Sequence, residues 1–184
     1  MRFWISIAVL AMVFLIGCGK SEQEPAQKYT QRTAWKEIRS LEGGFSIKMP
    51  GEPTQRTSTS EIPDGPINFH FFTLEYLDSW YSVQYADYPE NYVQKFSSQE
   101  ILDDAQGACV VGLQSKLIDG QEISLDQYPG RDLTLQHTAG AFVIKARLFL
   151  VGNRIYQLTV RTVPKTENLK YVLKFLNSFK LLEE

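Results

Sequence analysis

FVIKARLFLV-GN-RIYQLTVRT, residues 142–162, decides the fold of this chain. Two apolar runs, 142–151 and 154–162, flank Gly152-Asn153, a pair that tolerates positive φ and suits a two-residue hairpin. Pairing the runs across that turn puts Ile144, Leu148, Leu150 and Ile155 on one face. Phe149, Val151, Tyr156, Leu158 and Val160 fall on the other. Both faces are apolar, so both require cover. A lone hairpin cannot supply that cover, and the rest of the chain must.

Two helices are available. Ser97 and Glu100 stand at capping-box spacing. Ile101, Ala105, Ala108, Cys109 and Leu113 then recur at helical spacing, with Asp103-Asp104 on the solvated side. Gly107 and Gly112 weaken such a helix unless they mark close packing on a sheet. A second helix is expected over 166–177, with Leu169, Val172, Leu173 and Leu176 as its apolar stripe and Pro164 just before it. Phe179 and Leu181 then anchor the C-terminus.

The remaining segments read as strands. Residues 35–39 precede the Gly43-Gly44 turn, after which Phe45, Ile47 and Met49 alternate with polar residues. A weak polar strand covers 55–61. In 67–74, Ile67, Phe69 and Phe71 face one way, and His70, Phe72 and Leu74 the other. Tyr81, Val83 and Tyr85 form the next strand. Ile123 and Leu125 lead into Tyr128-Pro129-Gly130-Arg131, read as a turn, and Leu133 and Leu135 share a face with His137 at its end. Consecutive strands without crossovers argue against a doubly wound fold. The expected class is α+β: one antiparallel sheet of about six strands with helices on both faces, an α/β/α sandwich.

Domain organisation follows from the N-terminus. Residues 3–16 are apolar apart from Ser6, and this run of roughly fourteen is short of the about 20 that a spanning helix needs. Leu15-Ile16-Gly17-Cys18 closes it and resembles the bacterial lipobox at each position. The resemblance implies cleavage after Gly17, a diacylglyceryl thioether on Cys18 and palmitate-type acylation. Residues 1–17 are therefore expected to be a signal peptide, 18–34 a lipidated flexible tether, and 35–184 the folded domain. The protein would sit in the cell envelope, on the extracytoplasmic (periplasmic) side of an inner or outer membrane. Two or more acyl chains hold a protein there durably. About 15 tether residues reach at most roughly 50 Å and typically near 20 Å, so the domain works close to its membrane.

Composition narrows the function. The formal net charge is −2 and becomes −3 when Arg2 leaves with the leader, so the basic stripe of a nucleic-acid binder is missing. With Cys18 lipidated, Cys109 has no disulfide partner, and its helical position predicts a small buried hydrophobe.

The segment Gly44-Phe45-Ser46-Ile47-Lys48-Met49-Pro50 and the strand from Val151 to Val160 resemble PsbP-like domains. So do the closing helix and Asn177-Ser178-Phe179, so the likeness spreads over most of 35–181. After Pro50 the chain has Gly51-Glu52 where the photosynthetic members usually have Gly-Trp. The resemblance implies an α/β/α domain that docks onto a larger assembly with no cofactor of its own. It carries over no catalytic residue.

The residues themselves offer little chemistry. There are two histidines, His70 and His137, and no HExxH, Gly-x-Ser-x-Gly or Gly-x-Gly-x-x-Gly. His137 with Asp126 or Asp132 makes at most a weak metal site, and a strand-end histidine is the simpler reading. Lys145, Arg147 and Arg154 share a face of the hairpin with Tyr156, and Arg131 is placed near them. Together they form a candidate partner or anion patch, unless their stems merely lie over the sheet beside carboxylates. The expected function is a non-enzymatic lipoprotein held to the bilayer by Cys18 and docking a membrane-proximal protein. The alternatives are a small-ligand carrier with an aromatic cavity lined by Phe69, Phe71 and Tyr85, or an envelope enzyme of unrecognised type.

Overall fold

The computed structural model describes residues 34–140, 142–163 and 166–183. The expected leader with Gly17, the expected lipidation residue Cys18 and the expected tether up to residue 33 lie outside them. In chain order the described residues form β1 (Lys36–Ser40), β2 (Phe45–Met49), β3 (Thr54–Ile62), β4 (Gly65–Tyr76) and β5 (Ser79–Asp87). There follow α1 (Glu90–Lys95), α2 (Ser98–Gly112), β6 (Ser115–Leu125), β7 (Tyr128–His137), β8 (Val143–Val151), β9 (Arg154–Thr162), α3 (Thr166–Leu176) and β10 (Lys180–Leu181).

The expected single sheet of about six strands is in fact two sheets. Seven strands run in the order β3-β4-β5-β9-β8-β7-β6, and a separate three-stranded sheet has the order β1-β2-β10. Every pairing is antiparallel. β2 stays out of the large sheet because its side chains are needed on top of it. Phe45, Ile47 and Met49 are fully buried, packed among Val83, Leu158 and Val160. Adding β2 to a sheet edge would leave part of that apolar surface in water.

The hairpin behaves as its pattern requires. Val151 pairs with Arg154 across the two-residue turn, and the positive φ falls on Gly152. Ile144, Leu148, Leu150 and Ile155 join the cluster under α2, with Ile101, Leu102, Ala105 and Cys109. Phe149, Tyr156, Leu158 and Val160 join the opposite cluster, with β2 and with Val172, Phe175 and Leu176 of α3. A helix covers each face, and on the second face the small sheet shares the work.

α2 begins at the expected box. Ser97 Oγ accepts from the Glu100 amide at 3.3 Å, and the Ser97 amide donates to Glu100 Oε2 at 2.7 Å. Its buried stripe takes Leu102 in place of Ala108, which is exposed. Gly107 and Gly112 do not mark close packing, since a Cβ on either would meet nothing within 4 Å.

The turn expected at 128–131 is also corrected. Tyr128 to Arg131 belong to β7, and the chain reverses just before, where Asp126 has φ 53°. Gly130 is a packing site: a Cβ there would stand 2.3 Å from the Leu148 carbonyl oxygen and 2.6 Å from the Phe149 ring.

Candidate functional site

The register of β7 and β8 separates the four expected cations. Arg131 lies opposite Leu148, so it points with Leu148 toward α2, whereas Lys145, Arg147 and Arg154 point to the other face. Arg131 is 8% exposed. Its Nη2 donates to Gln99 Oε1 at 2.6 Å and Asp103 Oδ1 at 3.0 Å, and its Nη1 is 3.7 Å from Glu122. It ties α2 to the sheet.

Asp132, directly opposite Arg147, collects two more of the set. Arg147 Nε donates to it at 2.7 Å, and Lys145 Nζ is 4.0 Å away. Arg147 Nη1 also donates to Asn177 Oδ1 at 2.9 Å, past the end of α3. The cations therefore do not gather into one anion patch, and each has a carboxylate partner. Asp103 and Asp104 serve separate bonds as well: Asp104 accepts from the Tyr92 hydroxyl at 3.2 Å.

Arg154 and Tyr156 remain together and define the best-formed site. Arg154 opens β9 and faces Asp87, the last residue of β5. Its Nε and Nη2 donate to the two Asp87 oxygens at 2.5 and 2.7 Å, a bidentate pair. Nη1 donates to the Glu42 carbonyl at 2.9 Å, and the guanidinium lies 4.9 Å over the Tyr85 ring. The bond to Asp87 raises the Arg154 pKa further above its ordinary value. Tyr156 is buried, and its hydroxyl donates to the Gly43 carbonyl at 2.7 Å. Burial raises the Tyr156 pKa, and Arg154 opposes part of that shift. The β1–β2 turn is thereby pinned over the end of the large sheet.

A recess of about 720 Å³ opens beside this cluster. Tyr128, Val151 and Leu181 line its apolar part, and Leu41, 82% exposed, stands among its lining residues. Glu42, Asp87 and Glu183 line it against the cation Arg154. That balance disfavours a free anion and suits a partner segment bringing apolar and basic groups. Sequence reading missed Asp87, although its place at the end of β5, ahead of Tyr88-Pro89, puts it directly across from Arg154.

The proposed carrier residues do not surround one cavity. Phe69 packs on the α2 side, while Tyr85 is buried in the other cluster, its ring stacked 4.5 Å from His70. A polar cleft of about 330 Å³ at the β3–β4 edge touches Phe71 and Tyr85 but not Phe69, and Arg56 caps Phe71 at 3.9 Å. The His137 Nδ1 accepts from the Ala139 amide at 3.2 Å, and Asp132 is engaged by Arg147. Among the described residues no three His, Cys, Asp or Glu side chains are grouped to hold a metal, and no helix is long and apolar enough to cross a membrane.

Cys109 is buried on the inner side of α2, and burial pushes its thiol up to about 12. Ionisation is thus disfavoured in the fold, and stability falls as pH rises from the ordinary thiol value of 9.0 toward that limit. Native protein at pH 8 should resist iodoacetamide at Cys109 and react fully once unfolded in urea. Mass spectrometry of the tryptic peptide reads the difference, and equal labelling in both states would contradict the burial.

No protein-family model and no curated protein sequence matches the chain. Among solved structures it is similar to the solution structure of cyanobacterial PsbP (CyanoP) from Synechocystis sp. PCC 6803. The TM-score is 0.57 at 12% identity, covering 81% of this chain and 93% of that one. A crystal structure of PA94 from Pseudomonas aeruginosa, a protein of unknown function and putative regulator, overlaps at a TM-score of 0.39 and 11% identity. That overlap covers 76% of this chain and 94% of the other. The first comparison makes the fold PsbP-like.

Proposed function

We propose that this chain is a bacterial lipoprotein, anchored through acylated Cys18 on the extracytoplasmic side of a membrane. Its PsbP-like domain is a non-catalytic docking module for a membrane-proximal protein. The observation that carries the docking reading is the recess at Arg154. Its arginine is fixed by three hydrogen bonds before any partner arrives, so little side-chain entropy remains to be lost on binding. Arginine and tyrosine are the residue types enriched at interface centres, and the exposed Leu41 adds apolar surface beside them. The lipobox supports the anchor, and the short tether keeps the domain near whatever it docks.

The test is a crosslinked pull-down of the full-length protein from native membranes, beside Leu41→Glu and Cys18→Ser variants. Leu41 is exposed enough for the substitution to leave the fold intact. One stoichiometric protein partner is expected with the wild type, reduced about tenfold by Leu41→Glu, equivalent to about 1.4 kcal/mol of binding free energy, and reduced also by Cys18→Ser. A partner indifferent to Leu41→Glu would move the interface elsewhere. No protein partner, with a small molecule retained by the purified domain, would replace docking with carriage.

A further inference from the structure

α3 has an outer side that the core does not use. Val172, Phe175 and Leu176 point inward and are buried. Lys170 and Lys174, one turn apart, form the outermost ridge, and both are exposed. Leu169 and Leu173 flank that ridge at 50% and 42% exposure. On the other flank Tyr171, also exposed, stacks on Trp35 at 6.2 Å, and Lys174 Nζ lies 4.4 Å over the Trp35 ring.

The basic surface continues past the helix. A recess of about 340 Å³ joins Lys174 to Lys48 and Lys180 on the outer face of the three-stranded sheet, with Glu37 as its acid. Arg39 shares that face, two residues along β1 from Glu37. Among the described residues, none of Arg39, Lys48, Lys170, Lys174 and Lys180 makes an ion pair. Glu167, three residues before Lys170 and seven before Lys174, is the one acidic residue in the sequence of α3. In a chain of net charge −2 this is a local concentration of positive charge.

We propose that this face rests on the bilayer that holds the anchor. Its lysines would contact anionic phosphate headgroups, with Leu169, Leu173 and Tyr171 in the interfacial layer. The inference rests on the Cys18 reading given above. Three observations favour a lipid surface as the occupant. The chain enters the folded domain at Trp35, which packs directly on α3, so the tether joins the domain at this face. That tether of about 15 residues spans on average roughly 20 Å, which keeps this face at a high effective concentration near the membrane. Lysine is depleted at protein–protein interfaces, whereas lysines beside leucine and aromatic side chains mark helices that lie in a membrane interface. β1 begins just after Trp35 and ends just before Leu41, so the docking recess sits a strand's length away and remains free.

Full-length lipidated protein would be reconstituted into phosphatidylcholine vesicles with and without phosphatidylglycerol. An environment-sensitive dye would be placed on Leu173→Cys or, on the opposite layer, on Ala108→Cys. On anionic vesicles the dye at 173 should shift to the blue and be quenched by brominated lipid. The dye at 108 should stay aqueous. Lys170→Glu with Lys174→Glu should abolish the shift, and high salt should weaken it. An aqueous dye at 173 on acylated, vesicle-bound protein would overturn the proposal while leaving the anchor intact. So would shielding that appears only when native membrane proteins are added, which would assign the face to a protein. An unacylated Cys18 in the intact mass would overturn the anchor reading and this inference with it.

Discussion

Phe45→Ala is expected to destabilise the domain by about 3–5 kcal/mol, the range for removing a fully buried phenylalanine. The ring lies between the two sheets. It meets Phe72 edge-on at 5.3 Å, Tyr85 and Tyr156 at 6.2 Å, and stacks on Phe179 at 5.7 Å. These partners come from β4, β5, β9 and the segment before β10, so no single shift closes the hole. The backbone of residue 45 also pairs with Ser40 on one side and Leu181 on the other, so the small sheet loosens as a unit. Urea titration should show a lower midpoint at unchanged slope. A loss under about 1 kcal/mol would mean that the small sheet is not docked as described.

The second large effect is an addition. Gly130→Val should cost about 3 kcal/mol, the upper end of the range for overpacking. The new Cβ collides with the Leu148 carbonyl oxygen, a main-chain atom held in the β7–β8 ladder, and with the Phe149 ring beside it. Neither neighbour moves without disturbing a central strand. Gly107→Ala is the contrasting case. Its Cβ meets nothing within 4 Å at an exposed position of α2, so stability should rise by about 1 kcal/mol. The same urea titration reads both variants, and equal signs for the two would contradict the packing at Gly130.

What the sequence disclosed depends on the range of the interactions that set it. The β8–β9 hairpin was legible because a two-residue period and a Gly-Asn turn act locally, and α2 because Ser97 and Glu100 mark its start. The three-stranded sheet was not legible. β2 pairs with β10 across more than a hundred residues, and the alternation of Phe45, Ile47 and Met49 does not say which surface they cover. Pro129-Gly130 was misread because the pair is common in turns, while here the glycine makes room for Phe149. That error hid the parity of Arg131 and joined it to cations on the other face. The carboxylates that occupy those cations, Asp87 and Asp132, are cross-strand neighbours, visible only once the register is known.

The order of the large sheet bears on how the chain reaches its native state. β3-β4-β5 and β9-β8-β7-β6 are each runs of consecutive strands that zip through short turns. They meet at one seam, β5 against β9, where Asp87 and Arg154 are separated by 67 residues. Closing so long a loop adds little to the equilibrium cost but slows the search. The Ser79–Thr162 hydroxyl bond at 2.7 Å and the Gln84–Gln157 amide bond at 3.3 Å can form only after that closure. During synthesis the first array must therefore wait with β5 unpaired until the last third of the chain arrives. In that interval an open strand edge is the chain's exposure to misassociation.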